Sequence, residues 1–583
     1  MDVPLRQYWD LLASYIQPQR ARFTLLAALL LGSIGLQIVN PQIMRHFIDA
    51  VTSGQALTSL MAAALAFTAL ALLQQAISVS ATYVGESVAW VATNALRLDL
   101  ARHCLKLDMS FHNDHSPGEL IERIDGDVAE LSHFFSRLVI GMVGNLLLLL
   151  GILVVLSLED WRVGIAFTFF AAVTLCALNR MRGLTIPHQK ALRQTYADLF
   201  GFLEERLAGT EDIRSSGAIA FVLRGLYKLQ YAILRHWRKA HRMFVVVGSA
   251  AELLLTLGTA ATLAASYYLV RSDVITIGTA YLFVYYVNLI GRPLRGLSYQ
   301  IESLQTVGAS IERLEELLRV RSKIQDGHGA DIPSGPLSLA FDGVSFAYGE
   351  GEPVLKDLSF HLQPGKVVGL LGRTGSGKTT LARLVFRLYD PTNGRVALGG
   401  VDVRQAQVRD LRGRVAFVPQ DVQLFRASVR DNLTFFDRSI PDERILTAID
   451  ELELSTWVQS LPDGLDTMVG TDGGGLSAGE AQLLALARVL LRNPDLIILD
   501  EASSRLDPAT ERRIDRVLGK LLHAPRRSAI VIAHRLSTVQ RADEIMILEG
   551  GQVIEQGERG WLANDPTSRF FELLQTGLEE VPA

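Results

Sequence analysis

From Leu138 to Leu158 the chain carries no charged residue, and Leu146 to Leu150 is unbroken leucine. A run of that length crosses the ~30 Å hydrocarbon core of a bilayer as a helix. Lipid offers no partner to an unpaired backbone N–H or C=O, so an isolated strand or loop would not serve. Five more apolar segments precede residue 300: Phe23–Val39, Leu57–Val79, Val163–Leu178, Met243–Val270 and Thr276–Leu294. The composition agrees, since 49% of the 583 residues are hydrophobic and only 20% charged. That is apolar for a soluble chain, and the length calls for two to four domains. A net charge of −4 gives no footprint for a nucleic-acid partner.

The connections between these segments are unequal. Glu159-Asp160-Trp161-Arg162 and Arg271-Ser272-Asp273-Val274-Ile275 are short links, whereas the stretches around residues 80–137 and 179–242 are long and polar. The long ones carry the basic residues, among them Arg97, Arg102, Lys106, Arg206, Arg235 and Arg242. Excess positive charge marks the cytoplasmic side, which puts both termini in the cytoplasm and the short links outside. Apolar residues recur at helical spacing through Tyr196–Leu207 and Phe221–Ile233, so each long stretch is expected to fold as two helical arms. At the N-terminus, Leu5, Trp9, Leu12 and Ile16 share one helical face between Asp2 and Gln19. That pattern fits a helix lying in the membrane surface or an amphipathic helix in water. Cys104 and Cys176 are far apart in sequence and are expected to be buried apolar thiols, not a disulfide or metal site.

After a Gly- and Pro-rich linker, Asp326 to Pro336, the pattern becomes alternating strand and helix. There Gly372-Arg373-Thr374-Gly375-Ser376-Gly377-Lys378-Thr379 fits the phosphate-binding loop G-x-x-x-x-G-K-[ST]. The glycines let backbone N–H groups turn toward phosphate oxygens that side chains would block. Lys378 reaches the β and γ phosphates, and Thr379 offers its hydroxyl to Mg²⁺. Lys366–Leu371 reads as the buried strand before the loop, and Thr379, Thr380 and Leu381 open the helix after it. A second strand, Leu496–Leu499, ends in Asp500 and Glu501. Asp500 is placed for the Mg²⁺ shell, and Glu501 can polarise an attacking water.

Together these features resemble an exporter-type half-transporter of the ABC family: six membrane helices fused to one ATPase domain. The fold class implied is multidomain, an all-α six-helix transmembrane domain with long cytoplasmic helical extensions, then an α/β P-loop ATPase domain. The resemblance implies a transmembrane domain over 1–318 with an elbow helix, a linker over 319–336, the ATPase domain over 337–576 and a tail over 577–583. It also implies ATP and Mg²⁺ as cofactors. Tyr348, in Phe346-Ala347-Tyr348, matches the residue that stacks on adenine. Gln420 matches the loop joining Mg²⁺ to the membrane helices, and Ser477 and Gly479 lie in the family signature. Asp507 matches the D-loop, and His534 the switch histidine at the γ-phosphate. Phe111–Leu120 and Glu204–Ile213 resemble the two coupling segments; ordinary solvated charge on long helices is the other reading.

The chain departs from the family at three places. The signature reads Leu476-Ser477-Ala478-Gly479-Glu480 where L-S-G-G-Q is usual. Upstream stands Val469-Gly470-Thr471-Asp472-Gly473 in place of V-G-E-R-G, and Arg505 replaces the usual D-loop alanine. In the family each ATP lies between the phosphate loop of one chain and the signature of another. An intact hydrolytic side beside an altered donated side implies a heterodimer with a second half-transporter; a homodimer tolerating Ala478 and Glu480 is the alternative. The resemblance implies ATP-driven export of a hydrophobic or small amphipathic substrate, drug-like or lipid-like, across the plasma membrane by alternating access. Lipid, peptide or siderophore translocation and a regulatory or channel-like role remain open. Glu252 lies within the fifth apolar segment, where a carboxylate is costly. It could contact substrate or pair with another helix.

Overall fold

The computed structural model describes residues 13–136, 141–470, 476–500, 514, 516–519, 521–522, 527–533 and 539–576; for 133–136, 182, 297–307 and 478 it describes the backbone alone. The chain divides into two compact units, Met1–Leu105 with Gly118–Arg319, and Lys106–Pro117 with Val320–Ala583.

Among the described residues the first unit is built of helices, with no strand. Long helices span Arg20–Thr52, Leu57–Lys106, Gly144–Glu159, Trp161–Arg182, Ile186–Ala208, Ile219–Arg271 and Ile277–Arg319. Five helical stretches among the described residues are long and apolar enough to cross a membrane. The sixth expected segment, Thr276–Leu294, is helical from Ile277 but is not among those five. Its apolar residues are turned inward instead: Leu282, Tyr286 and Ile290 are fully buried, and Phe283 and Leu294 nearly so. They pack against Leu30 and Ile34 of the first long helix and Ile152 and Leu156 of the third. Gly151 lets the first helix approach, since a Cβ there would lie 2.5 Å from Ile38 Cδ1.

Two of the polar arms continue their membrane helices without a break. Leu57–Lys106 is 50 residues long and Ile219–Arg271 is 53, about 75 and 80 Å at 1.5 Å per residue. The N-terminal surface-helix expectation falls mostly on residues 1–12, outside the described residues; Ala13 onward is helical. One expectation fails. Cys104 is buried, but Cys176 is exposed on the outer face of its helix, because an apolar span need not turn every apolar side chain into protein. Among the described residues no group of His, Cys, Asp and Glu could hold a metal ion.

Polar side chains fix the helix ends. Asp160 accepts the N–H groups of Arg162 and Val163, at 2.8 and 3.4 Å, and so starts Trp161–Arg182. Asp49, on the first helix, accepts the Gly278 N–H at 2.8 Å and the Thr276 hydroxyl at 2.8 Å, capping the last helix from outside its own sequence. Arg45 donates to Glu159 at 2.5 Å. Beside Pro41, which breaks the backbone ladder of the first helix, the Tyr286 hydroxyl donates to the Ile38 carbonyl at 2.8 Å.

The second unit is α/β. Strands β1 (Leu339–Phe346), β2 (Leu355–Leu362), β4 (Asn393–Leu398) and β5 (Val401–Asp402) form an antiparallel sheet in the order β2-β1-β4-β5. Strands β3 (Val367–Leu371), β6 (Val415–Val418), β7 (Leu496–Asp500), β8 (Ser528–Ile532), β9 (Glu544–Glu549) and β10 (Gln552–Glu558) form a second sheet, ordered β10-β9-β3-β8-β7-β6. Its inner strands run parallel, and β3, β7 and β8 are buried at every position. Both faces of such a sheet are covered, which is why these strands read as unbroken apolar runs. Residues 111–117 of the first expected coupling segment belong to this unit. Phe111 is buried, and Asn113 donates to the Tyr389 hydroxyl at 2.8 Å. Burial raises the Asp108 carboxyl, but backbone N–H groups of Lys323, Phe111 and Ser110 outweigh it and hold Asp108 below the usual carboxylate range.

In the first unit a π-helical turn, Glu122–Asp127, ends in buried Asp127. Arg313 of the last helix grips it with Nε, at 2.9 Å, and Nη2. Arg313→Met is expected to strand a buried carboxylate and destabilise the unit by about 2 kcal/mol, below the ~3–5 kcal/mol of a fully buried pair because Arg313 is half exposed. Thermal unfolding of the purified protein checks this, with Asp127→Asn in the same chain recovering part of the loss.

Candidate nucleotide-binding site

β3 runs straight into the loop Gly372–Thr379, and the helix Lys378–Val385 leaves it. Three glycines have positive φ: Gly372 at 153°, Gly375 at 81° and Gly377 at 106°. At Gly372 a Cβ would lie 2.3 Å from the Leu548 backbone oxygen of β9, which cannot move aside. No other residue fits that turn.

The loop is held from inside. Lys378 is 6% exposed, and its Nζ donates to the Gly372 and Arg373 carbonyls at 2.7 and 3.0 Å. The ammonium therefore sits in the concavity that the loop encloses. Ser376 Oγ is buried there with no hydrogen-bond partner among the described residues. An orphaned hydroxyl beside a buried cation, at the start of a helix, suits an anion such as phosphate. Thr379 Oγ1 donates to Asp500 Oδ2 at 2.9 Å, so the loop and the end of β7 meet across one intervening strand. Thr379 and Asp500 are oxygen donors of the kind a hard divalent cation takes.

The aromatic side of the site is also built. Tyr348 lies just past β1, with its hydroxyl 3.1 Å from Thr380 Oγ1 and accepting from Arg383 Nη1 at 3.2 Å. Its ring packs edge-on against Phe346 and Tyr389. Tyr348, Thr380 and Lys378 are thereby joined through one short helix. Gln420 is exposed just after β6. Glu501, Asp507 and His534 lie outside the described residues.

Ser477 and Gly479 lie at the start of the helix Ala478–Arg492. Ser477 caps it, and Glu480 completes a reciprocal box: Glu480 Oε2 accepts from Ser477 N at 2.7 Å and from Ser477 Oγ at 2.9 Å. The hydroxyl proton of Ser477 is thus held by a carboxylate of its own helix. Sequence reasoning missed Arg488 on this helix. Its guanidinium donates to the Asn432 carbonyl at 2.8 Å and the Gln423 carbonyl at 3.2 Å, and lies over the Phe435 ring. Burial, with Arg492 nearby, lowers its pKa to about 10. Nothing local distinguishes Arg488 from a surface arginine, because its partners lie over fifty residues upstream.

Glu252 is paired: Arg295 of the last helix donates to its carboxylate. That is an inter-helix ion pair on the bundle surface, with Glu252 63% exposed.

The sequence matches the family described as ABC transporter over residues 355–504, and the ABC transporter transmembrane region over 23–294. It is 32% identical over 467 residues to the ATP-dependent lipid A-core flippase of Chromobacterium violaceum, covering 79% of each chain. The chain belongs to the ABC transporter family. It is a fused half-transporter of exporter type, an integral membrane protein whose ATPase domain couples nucleotide hydrolysis to transport. Half-transporters of this family act as dimers. The fatty acid ABC transporter ATP-binding/permease protein of Mycobacterium tuberculosis is 29% identical, over 80% of this chain and 74% of its own. Among solved structures, a bacterial Atm1-family ABC exporter with ATP bound superposes with a TM-score of 0.80 at 25% identity, over 97% of this chain and 99% of that one. The six-helix transmembrane domain followed by an α/β ATPase domain is the fold that the sequence implies.

Gly372→Ala places a methyl group on the Leu548 carbonyl. It is expected to weaken binding of a fluorescent ATP analogue at least tenfold, measured by titration of the purified transporter.

Proposed function

We propose that this ABC half-transporter exports a lipid-like amphipathic substrate across the plasma membrane by alternating access, with both termini in the cytoplasm. The observation that carries the ATP-driven part is the buried Lys378 and orphaned Ser376 Oγ inside the glycine loop, with Thr379 bonded to Asp500. The lipid-like class is supported by the names of relatives, a lipid A-core flippase and a fatty acid transporter. The transmembrane domain is assigned to 1–318, the linker to 319–336, the ATPase domain to 337–576 and the tail to 577–583.

ATP would lie in the loop Gly372–Thr380 with its base against Tyr348. Mg²⁺, when bound, neutralises phosphate charge; Thr379, Gln420 and Asp500 would hold it. Lys378 holds the β and γ phosphates, Glu501 takes the proton of the attacking water, and His534 steadies the γ-phosphate. Nucleotide shifts the membrane unit only through its differential affinity for the closed dimer. Glu501→Gln is expected to cut ATP turnover by more than 100-fold while leaving nucleotide affinity within threefold, because it removes the base and spares the loop. Turnover in liposomes with and without candidate lipids checks both parts. No stimulation by any lipid-like amphiphile, with drugs or peptides active, would defeat the lipid reading.

The partner is proposed to be a different half-transporter. Ser477, Gly479 and Asp507 would face the nucleotide held by the partner chain. There the Glu480 carboxylate occupies the Ser477 hydroxyl and sets a negative charge near a phosphate. A site completed by this signature would hydrolyse poorly, while Glu501 would work against the partner's own signature. Glu480→Gln is expected to raise vanadate-trapped nucleotide from about one to about two per dimer. A wild-type chain that is, by itself, a stable and active homodimer would refute the heterodimer.

A further inference from the structure

Within the first unit, an apolar cavity of about 220 Å³ lies between the helices Trp161–Arg182, Ile219–Arg271 and Ile277–Arg319. Phe167, Phe170 and Phe283 wall it, and no charged residue lines it. Gly258 makes room for the aromatic wall, since a Cβ there would lie 2.5 Å from Phe170 Cζ. Ala261 and Ala265, on the same helix, are exposed, so the cavity opens at the surface of the bundle along a seam of small side chains.

Two hydroxyl residues line this apolar space, Thr262 and Ser266. Ser266 is 3% exposed, and its Oγ has no hydrogen-bond partner among the described residues. Its neighbours behave differently. Thr256, Thr259, Thr262 and Ser272 each donate to the carbonyl four residues earlier, at 2.8–2.9 Å. Back-bonding of that kind is what a hydroxyl on a membrane helix ordinarily does. A buried hydroxyl left without it is costly unless an acceptor arrives. An apolar cavity of about 150 Å³ stays dry and takes up benzene, so this larger one suits hydrocarbon and not water.

We propose that this cavity binds one acyl chain, inserted through the Ala261–Ala265 opening, with the carbonyl of its ester or protonated carboxyl group accepting from Ser266 Oγ. The lining excludes a charged headgroup, which stays outside the opening. The volume admits a segment of chain and not a whole lipid. Two sources share this chemistry, a resident bilayer lipid and the transported amphiphile. The second rests on the lipid-like reading of function, and the site itself does not.

The test uses the full-length transporter in phosphatidylcholine liposomes. The probes are palmitate and phosphatidylcholine, each carrying a diazirine in the acyl chain, with crosslinks mapped by mass spectrometry. Labelling is expected to concentrate on the segments around Phe170 and Ala261–Leu269, and to saturate. Ala265→Phe fills the opening from the exposed side and is expected to reduce that labelling at least fivefold, with basal ATPase unchanged. Ser266→Ala is expected to reduce it about threefold while Ser266→Thr retains it. Uniform labelling of all outward-facing helix surfaces, or labelling indifferent to Ala265→Phe in a chain with normal ATPase, would overturn the site. If Ala265→Phe fails to fold, saturation and displacement by unlabelled palmitate in the wild type decide the same point. Palmitate stimulation of ATPase that is lost in Ala265→Phe identifies the chain of a transported substrate. Specific phosphatidylcholine labelling without stimulation identifies a resident bilayer lipid; the site then stands, and it is not the site of the transported chain.

Discussion

Helix continuity is the constraint on which the rest of this structure depends. In hydrocarbon the backbone must bond to itself, and here it goes on doing so beyond the apolar spans. Leu57–Lys106 and Ile219–Arg271 each join an apolar segment to a polar arm with no proline or break between them. A rod of that kind cannot change tilt at one end and keep it at the other. Events at the end of an arm are therefore geometric events at its membrane segment, with no flexible joint to absorb them. The 106–117 segment, which follows one rod directly, is packed into the ATPase unit through Phe111, Asn113 and Asp108.

The nucleotide loop depends on a different balance. Burying the Lys378 ammonium would be prohibitive without compensation, and two carbonyls of its own loop supply part of it. The loop is thus shaped around a cation before any anion arrives, which reduces the reorganisation left for binding. Ser477 shows the opposite arrangement. Its hydroxyl is already committed to the carboxylate at the third position of its helix, a good cap and a poor phosphate ligand.

Much of this was legible in the sequence because it is local. Five apolar spans, the strand before the glycine loop, the Asp500 strand end and the capping pattern Ser477-x-x-Glu480 all lie within a few residues of themselves. The sixth helix was legible as a helix, but Tyr281, Tyr285, Tyr286, Asn288 and Arg292 lower its mean hydropathy, so composition marks it less clearly. What could not be read were pairings set by the tertiary fold. Arg295 answers Glu252 from 43 residues away, and Arg313 answers Asp127 from 186. The pattern around either acid is the same with or without its partner. Cys176 failed for a related reason: membership of an apolar helix does not say which side of it faces protein.

Asp49 holds the start of the last helix, and Arg45, one turn earlier, holds Glu159 at the end of the third. The first, third and last membrane helices are thereby clasped together at one end of the bundle. Any separation within this trio would have to break the Arg45–Glu159 pair or the Asp49 cap. The clasp keeps these three helix ends together through a general loosening, in the way a spine keeps the pages of a book in order.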